Sequence, residues 1–145
     1  MSAPDCALCA GDGGDVVWRG ARARVVLADE PQFPGFTRVI WDEHLAEMTD
    51  LPAAERAGLM ALVWCVEQTQ RELLRPDKIN LASLGNVVAH LHWHVIPRWR
   101  DDSHFPAPVW SLAQRDGGAR LTMSTPLVAS YRAALAERLE ALIKT

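Results

Sequence analysis

Hydrophobic and polar positions change their period several times along the chain, and each change marks an element. Val16-Val17-Trp18 begins a short strand after the turn Gly11-Asp12-Gly13-Gly14, and Gly20 interrupts it. Arg22-Ala23-Arg24-Val25-Val26-Leu27 restarts as a second strand. A loop bounded by proline and glycine, Asp29 to Gly35, leads into a third, Thr37-Arg38-Val39-Ile40-Trp41. The connections are too short for helical crossovers, so these strands pair antiparallel. The period then turns helical. A helix capped by Thr49 or Asp50 starts near Pro52, continues to about Leu74 and is closed by Pro76. Leu59, Leu62, Val63, Val66 and Leu73 form its apolar stripe, and Glu55, Arg56, Glu67, Gln68 and Arg71 fill much of the opposite face. Lys78 to Leu84 reads as a strand, Gly85-Asn86 as a turn and Leu91 to Pro97 as the next strand. From Arg98 to Gly118 the pattern is irregular and reads as an ordered loop laying Phe105 and Trp110 on the body. Thr125-Pro126 opens a final amphipathic helix with Leu127, Tyr131, Leu135, Leu139 and Leu142 on one face.

One core is the expectation for 145 residues: a single domain with a cysteine-bearing arm over 1–14 and a loop and helix over 99–145. With 49% apolar residues, 23% charged residues and a net charge of -3, the chain reads as globular and not as a coat for nucleic-acid polymers. Arg98 and Arg100 can still make a local basic pocket. No apolar run is long enough to span a membrane and no signal peptide opens the chain, so no membrane partner is expected and the cytoplasm is the expected compartment. The spacing Cys6-Ala7-Leu8-Cys9 suits metal or redox chemistry, whereas Cys65 lies in an apolar run and reads as a structural thiol.

The densest chemistry is in His90-Leu91-His92-Trp93-His94-Val95-Ile96-Pro97-Arg98, where histidine alternates with apolar residues at the period of a strand. Three imidazoles on one face, roughly 6–7 Å apart, can border one small anion. A neutral imidazole attacks phosphorus near pH 7, and the central position makes His92 the nucleophile with His90 and His94 beside it. Three ligands along one extended strand do not readily converge on a single ion, so a metal held by this row alone is the weaker reading.

The same run resembles the signature of the histidine-triad family, whose members cleave nucleotide conjugates at the α-phosphate through a nucleotidyl-histidine. Asn80 and Gly85-Asn86 match the family's Asn and Gly-Gln segment, Asp29 its ribose-holding residue and Pro34-Gly35 its Pro-Gly turn. The resemblance implies an α+β fold, an antiparallel five-stranded sheet with a long helix and a C-terminal helix, continued across a homodimer. Trp64, Leu62 and Val66, with an exposed edge strand, are the material for that interface. It implies catalysis by His92 and His94 with support from His90, and substrate contacts from Asp29, Asn80, Gly85, Asn86 and Arg98. The substrate would be a dinucleoside polyphosphate or a nucleoside phosphoramidate, and no organic cofactor is needed. Cys6, Cys9, His44 and His90 resemble a structural zinc set of some members, which leaves His92 free for chemistry. Two departures, Phe36 where many members have histidine and Val87 where a hydroxyl is frequent, imply weak turnover or an unusual leaving group. They also keep open a nucleotide-binding or adaptor protein with little catalysis.

Overall fold

The structure, a computed structural model, describes residues 3–117 and 125–145. Its elements are α1 (Ala7–Ala10), β1 (Asp15–Arg19), β2 (Ala23–Leu27), β3 (Thr37–Trp41), a 3-10 turn at Met48–Asp50, α2 (Ala53–Leu74), β4 (Lys78–Ala82), β5 (His92–Arg98) and α3 (Thr125–Ile143). The five strands form one antiparallel sheet in the order β1-β2-β3-β5-β4. The α+β architecture is the expected one.

Strand register sorts the side chains into two faces. Thr37 stands opposite Val95 and Val39 opposite Trp93, and these turn toward the helices with Ala23, Val25, Trp41 and Ile79. Arg38 stands opposite His94, Ile40 opposite His92 and Asn80 opposite Ile96, so these side chains leave the other face. A bulge between Val16 and Trp18 turns Trp18 into the helix-side core, where it is buried.

The helix α2 covers that core with Leu59, Leu62, Val63, Val66 and Leu74, each such burial contributing about 1.5–3 kcal/mol. Two details differ from the sequence reading. Leu74 rather than Leu73 ends the stripe, because Val66, Gln70 and Leu74 continue one i,i+4 row. Pro52 sits at the N-cap, with no side-chain cap, while Asp50 belongs to the preceding turn and accepts from the Glu47 N–H at 3.1 Å. The buried stripe also contains polar members. Gln70 Nε2 donates to the carbonyls of Gly35 at 3.0 Å and Val95 at 2.9 Å, tying α2 to both the Pro-Gly turn and β5. Gly35 has a positive φ of 83° and any Cβ there would strike Leu74, which is why the turn takes glycine. Tyr131 of α3, wholly buried with Leu135 and Leu139, shares a 2.7 Å hydrogen bond with Thr37 Oγ1. Leu142, expected on the same apolar face, is 37% exposed.

Between β4 and β5 the chain makes a nine-residue connection, 83–91, rather than a tight turn at Gly85-Asn86. The expected strands are correspondingly shifted: β4 ends at Ala82, and β5 starts only at His92. No helix among the described residues is long and apolar enough to cross a membrane.

Candidate active site and metal centre

His92 and His94 stand on β5 with their rings 4.8 Å apart and nearly perpendicular. Alternation places Trp93 and Val95 on the helix side, so both imidazoles leave the opposite, open side of the sheet. His92 Nδ1 donates to the His90 carbonyl at 2.5 Å. That bond fixes the tautomer in which Nε2 carries the free lone pair. Ser83 Oγ donates to the His92 carbonyl at 2.8 Å and pins the strand from the edge. His94 is enclosed by Phe36, ring to ring at 5.6 Å, and by Trp110 at 5.0 Å, both edge-on. Burial, reinforced by the nearby charges of His92 and Arg38, pulls its pKa down to about 4, so it is neutral near pH 7. His94 Nδ1 is buried and finds no hydrogen-bond partner among the described residues.

His90 departs from the expected row. The ladder begins two residues later, so its ring is not held to the face of His92 and instead meets the N-terminal arm. Cys6, Cys9, His44 and His90 bring four ligand atoms within 4.8 Å of one another. His90 Nδ1 lies 3.4 Å from Cys6 Sγ, 3.5 Å from Cys9 Sγ and 3.3 Å from His44 Nδ1, and Cys9 Sγ lies 3.4 Å from His44 Nδ1. His90 Nε2 donates to the Trp41 carbonyl at 2.6 Å, which leaves Nδ1 as the unprotonated nitrogen facing the sulfurs. Burial lowers its proton affinity further. This group can hold a metal ion, and α1 is the element that carries both cysteines to it: Cys6 is its N-cap and Cys9 lies one turn on. His90 then meets His92 through its main-chain carbonyl.

The other expected residues fall into two groups. Asn80 and Arg98 are brought together, but Arg98 is 1% exposed and four of its five donors are taken within the chain. Nε and Nη2 hold the two Asp102 oxygens at 2.8 and 3.0 Å, Nη1 holds Asn80 Oδ1 at 2.9 Å, and Nη2 also reaches the Ala107 carbonyl at 2.9 Å. Buried in this way, Arg98 orients the Asn80 amide and anchors the following loop. Asp102 completes the anchor by accepting from the main-chain N–H groups of His104 at 2.9 Å and Phe105 at 2.7 Å. Asp29, Asn86 and Val87 are exposed, Asp29 just after β2 and the other two on the 83–91 connection, where Gly85 takes a φ of 73°. Phe36 is 3% exposed and forms a wall of the site. Sequence reasoning placed Trp110 on the body without finding its target, His94; no spacing rule links a loop residue to a strand sixteen positions earlier. Leu62 and Val66, expected at an interface, are buried in the chain's own core, while Trp64 is 59% exposed.

Comparison with known proteins agrees with this fold. Residues 13–101 match the HIT domain. A relative from Mycobacterium tuberculosis called AP-4-A phosphorylase is 34% identical over 98 residues, which cover 63% of this chain and 50% of that protein. The chain thus spans about half the length of that curated relative. Among solved structures, a histidine triad protein from Bradyrhizobium japonicum superposes with a TM-score of 0.70 at 26% identity, covering 86% of this chain and 91% of that one. A zinc-bound histidine triad family protein from Mycobacterium smegmatis has a TM-score of 0.63 at 24% identity, over 95% of this chain and 97% of that one. The last likeness is one of fold.

Proposed function

Because this chain belongs to the HIT-domain family, we propose that it is an enzyme cleaving nucleotide conjugates at the α-phosphate through a nucleotidyl group carried on His92. The observation that carries the reading is the 2.5 Å bond from His92 Nδ1 to the His90 carbonyl, which turns the Nε2 lone pair outward beside a neutral His94. In the first step Nε2 attacks the α-phosphorus, the P–N bond forms and the bond to the leaving oxygen or nitrogen breaks. The Nδ1–H bond supports the positive charge that develops on the ring. The leaving group takes a proton from solvent, and the acceptor of the second step returns one to it. In the second step an acceptor oxygen cleaves the P–N bond and returns His92 to its neutral form. With Nδ1 of His94 buried and unpaired, its proton belongs on Nε2, where it can donate to a non-bridging oxygen. Asn86, Asn80 and the main chain at Gly85 complete the phosphate contacts, and Asp29 accepts from the ribose hydroxyls.

His92→Ala is expected to keep nucleotide binding and lose turnover by about a thousandfold or more. Equal rates on a panel of adenosine and guanosine conjugates would remove His92 as nucleophile. Adding inorganic phosphate separates two second steps: hydrolysis releases a nucleoside monophosphate, and transfer to phosphate releases a diphosphate. A binding protein with little catalysis is the second reading, favoured by the apolar Val87, 98% exposed where a phosphate contact is expected.

Zinc is the ion we assign to the cysteine–histidine cluster. A tetrahedron with Zn–S near 2.3 Å and Zn–N near 2.0–2.1 Å has N···N edges of about 3.3 Å and S···N edges of about 3.6 Å. Four of the six edges, at 3.3 Å and 3.4–3.5 Å, match those values. Zinc would supply a tether between the arm and the root of β5. Trp64 on α2, with Leu81 and Leu84 exposed by the free edge of β4, supports a homodimer.

A further inference from the structure

The sheet face that carries His92 and His94 also carries a cation which the chemistry above leaves unused. Arg38 of β3 stands opposite His94 in register, so both side chains leave the same side of the sheet. Its guanidinium lies 5.5 Å over the Phe36 ring, and Phe36 in turn meets His94 at 5.6 Å. Among the described residues a single hydrogen bond, from Nη1 to the Gly13 carbonyl at 2.9 Å, steadies it. Three other strand arginines on this face are taken: Arg19 by Asp12, Arg24 by Asp42 at 2.6 Å and the carbonyls of Leu8, Gly11 and Asp12, and Arg98 by Asp102 and Asn80. Arg38 has no carboxylate at ion-pair distance among the described residues, and Glu30 acts on it only through space. A half-buried guanidinium with most of its five donors uncommitted is a seat for an anion.

We propose that Arg38 binds the phosphate chain of the substrate beyond the α-phosphate, and so selects polyphosphate conjugates over those with a neutral amine leaving group. This rests on the reading of His92 as nucleophile. His92 and His94 on β5 take the α-phosphoryl group, and Arg38 stands one strand over, about 4.8 Å away, where the next phosphate of the chain can be met. The fork geometry of arginine suits two phosphate oxygens at once, which a lysine at this position could not match.

The test compares two substrates that share the nucleoside and α-phosphate: a dinucleoside polyphosphate and a nucleoside phosphoramidate. In Arg38→Met, which keeps a long apolar stem on Phe36, the ratio of kcat/KM for the polyphosphate to that for the phosphoramidate is expected to fall by about tenfold to a hundredfold. Arg38→Lys is expected to recover part of that ratio through its charge. Peptide mass mapping of the phosphoramidate-treated variants, showing the nucleotidyl group on the peptide bearing His92, verifies that they are folded and that the chemical step survives. An unchanged ratio in Arg38→Met would overturn the assignment while leaving His92 in place. So would a change in adenosine against guanosine preference without a change in the leaving-group ratio, which would put Arg38 on the base. No adduct in the parent protein with either substrate would overturn the His92 reading and this one with it.

Discussion

At the level of single residues, the two imidazoles of β5 differ in environment although the sequence spaces them alike. His92 has its Nδ1 proton committed to a carbonyl, whereas His94 is walled by Phe36 and Trp110 and has no partner for its buried nitrogen. The depressed pKa of His94, about 4 against an ordinary 6.5, has a definite consequence for stability. The unfolded chain takes up this proton near pH 6.5 and the folded chain only near 4, so His94 favours folding above the unfolded value and loses that advantage as pH falls through the window between them. The full shift corresponds to roughly 3 kcal/mol. His94→Asn is therefore expected to show a shallower loss of stability than the parent when urea unfolding is compared at pH 7 and pH 4.5. Identical losses in both proteins would show that His94 does not remain neutral in the fold.

Among the elements, the loop following β5 depends on one buried ion pair. Arg98 and Asp102 are 2% and 1% exposed at their side chains, and Asp102 also holds the main chain of the segment that delivers Trp110 to His94. Asp102→Ala is expected to destabilise the protein by about 3–5 kcal/mol, because it leaves the Arg98 charge buried and unpaired. Chemical unfolding measures this, and a loss below about 1 kcal/mol would mean that water reaches Arg98 freely. The role of Arg98 was not legible in the sequence, where a cation after a histidine run points equally well to substrate; only the turn that folds Asp102 back reveals it. The helix and β3 were legible, since the 3.6-residue stripe and the Thr37–Trp41 run are long enough to fix their bounds within a residue or two. The alternation of His90, His92 and His94 misled in one respect. A period of two describes a face only while the ladder lasts, and His90 precedes the ladder. Gln70 was invisible for a related reason: a polar residue on a buried stripe reads as an interruption until its partners, here the carbonyls of Gly35 and Val95, are known.

For the molecule as a whole, the cysteine arm and the histidine strand form one unit. The Cys6-Cys9 spacing was legible as a metal or thiol pair, but its completion by His44 and His90 required residues 35 and 81 positions from Cys9 to meet, which spacing alone does not disclose. The purified protein is expected to hold about one zinc per chain, and chelation to lower the thermal midpoint by about 10 °C or more. Less than about 0.1 zinc per chain, with both thiols reduced, would dismiss the site and leave the chemistry of His92 untouched. That chemistry is the central claim, and its most direct test is to trap the covalent state. The protein is mixed with a slow nucleoside phosphoramidate, quenched within the turnover time at alkaline pH, where a phosphorus–nitrogen bond to imidazole survives, and mapped by peptide mass spectrometry. The expected result is one nucleoside monophosphate group on the peptide bearing His92, absent in His92→Ala. Turnover without any adduct, or an adduct carried on His94, would contradict it.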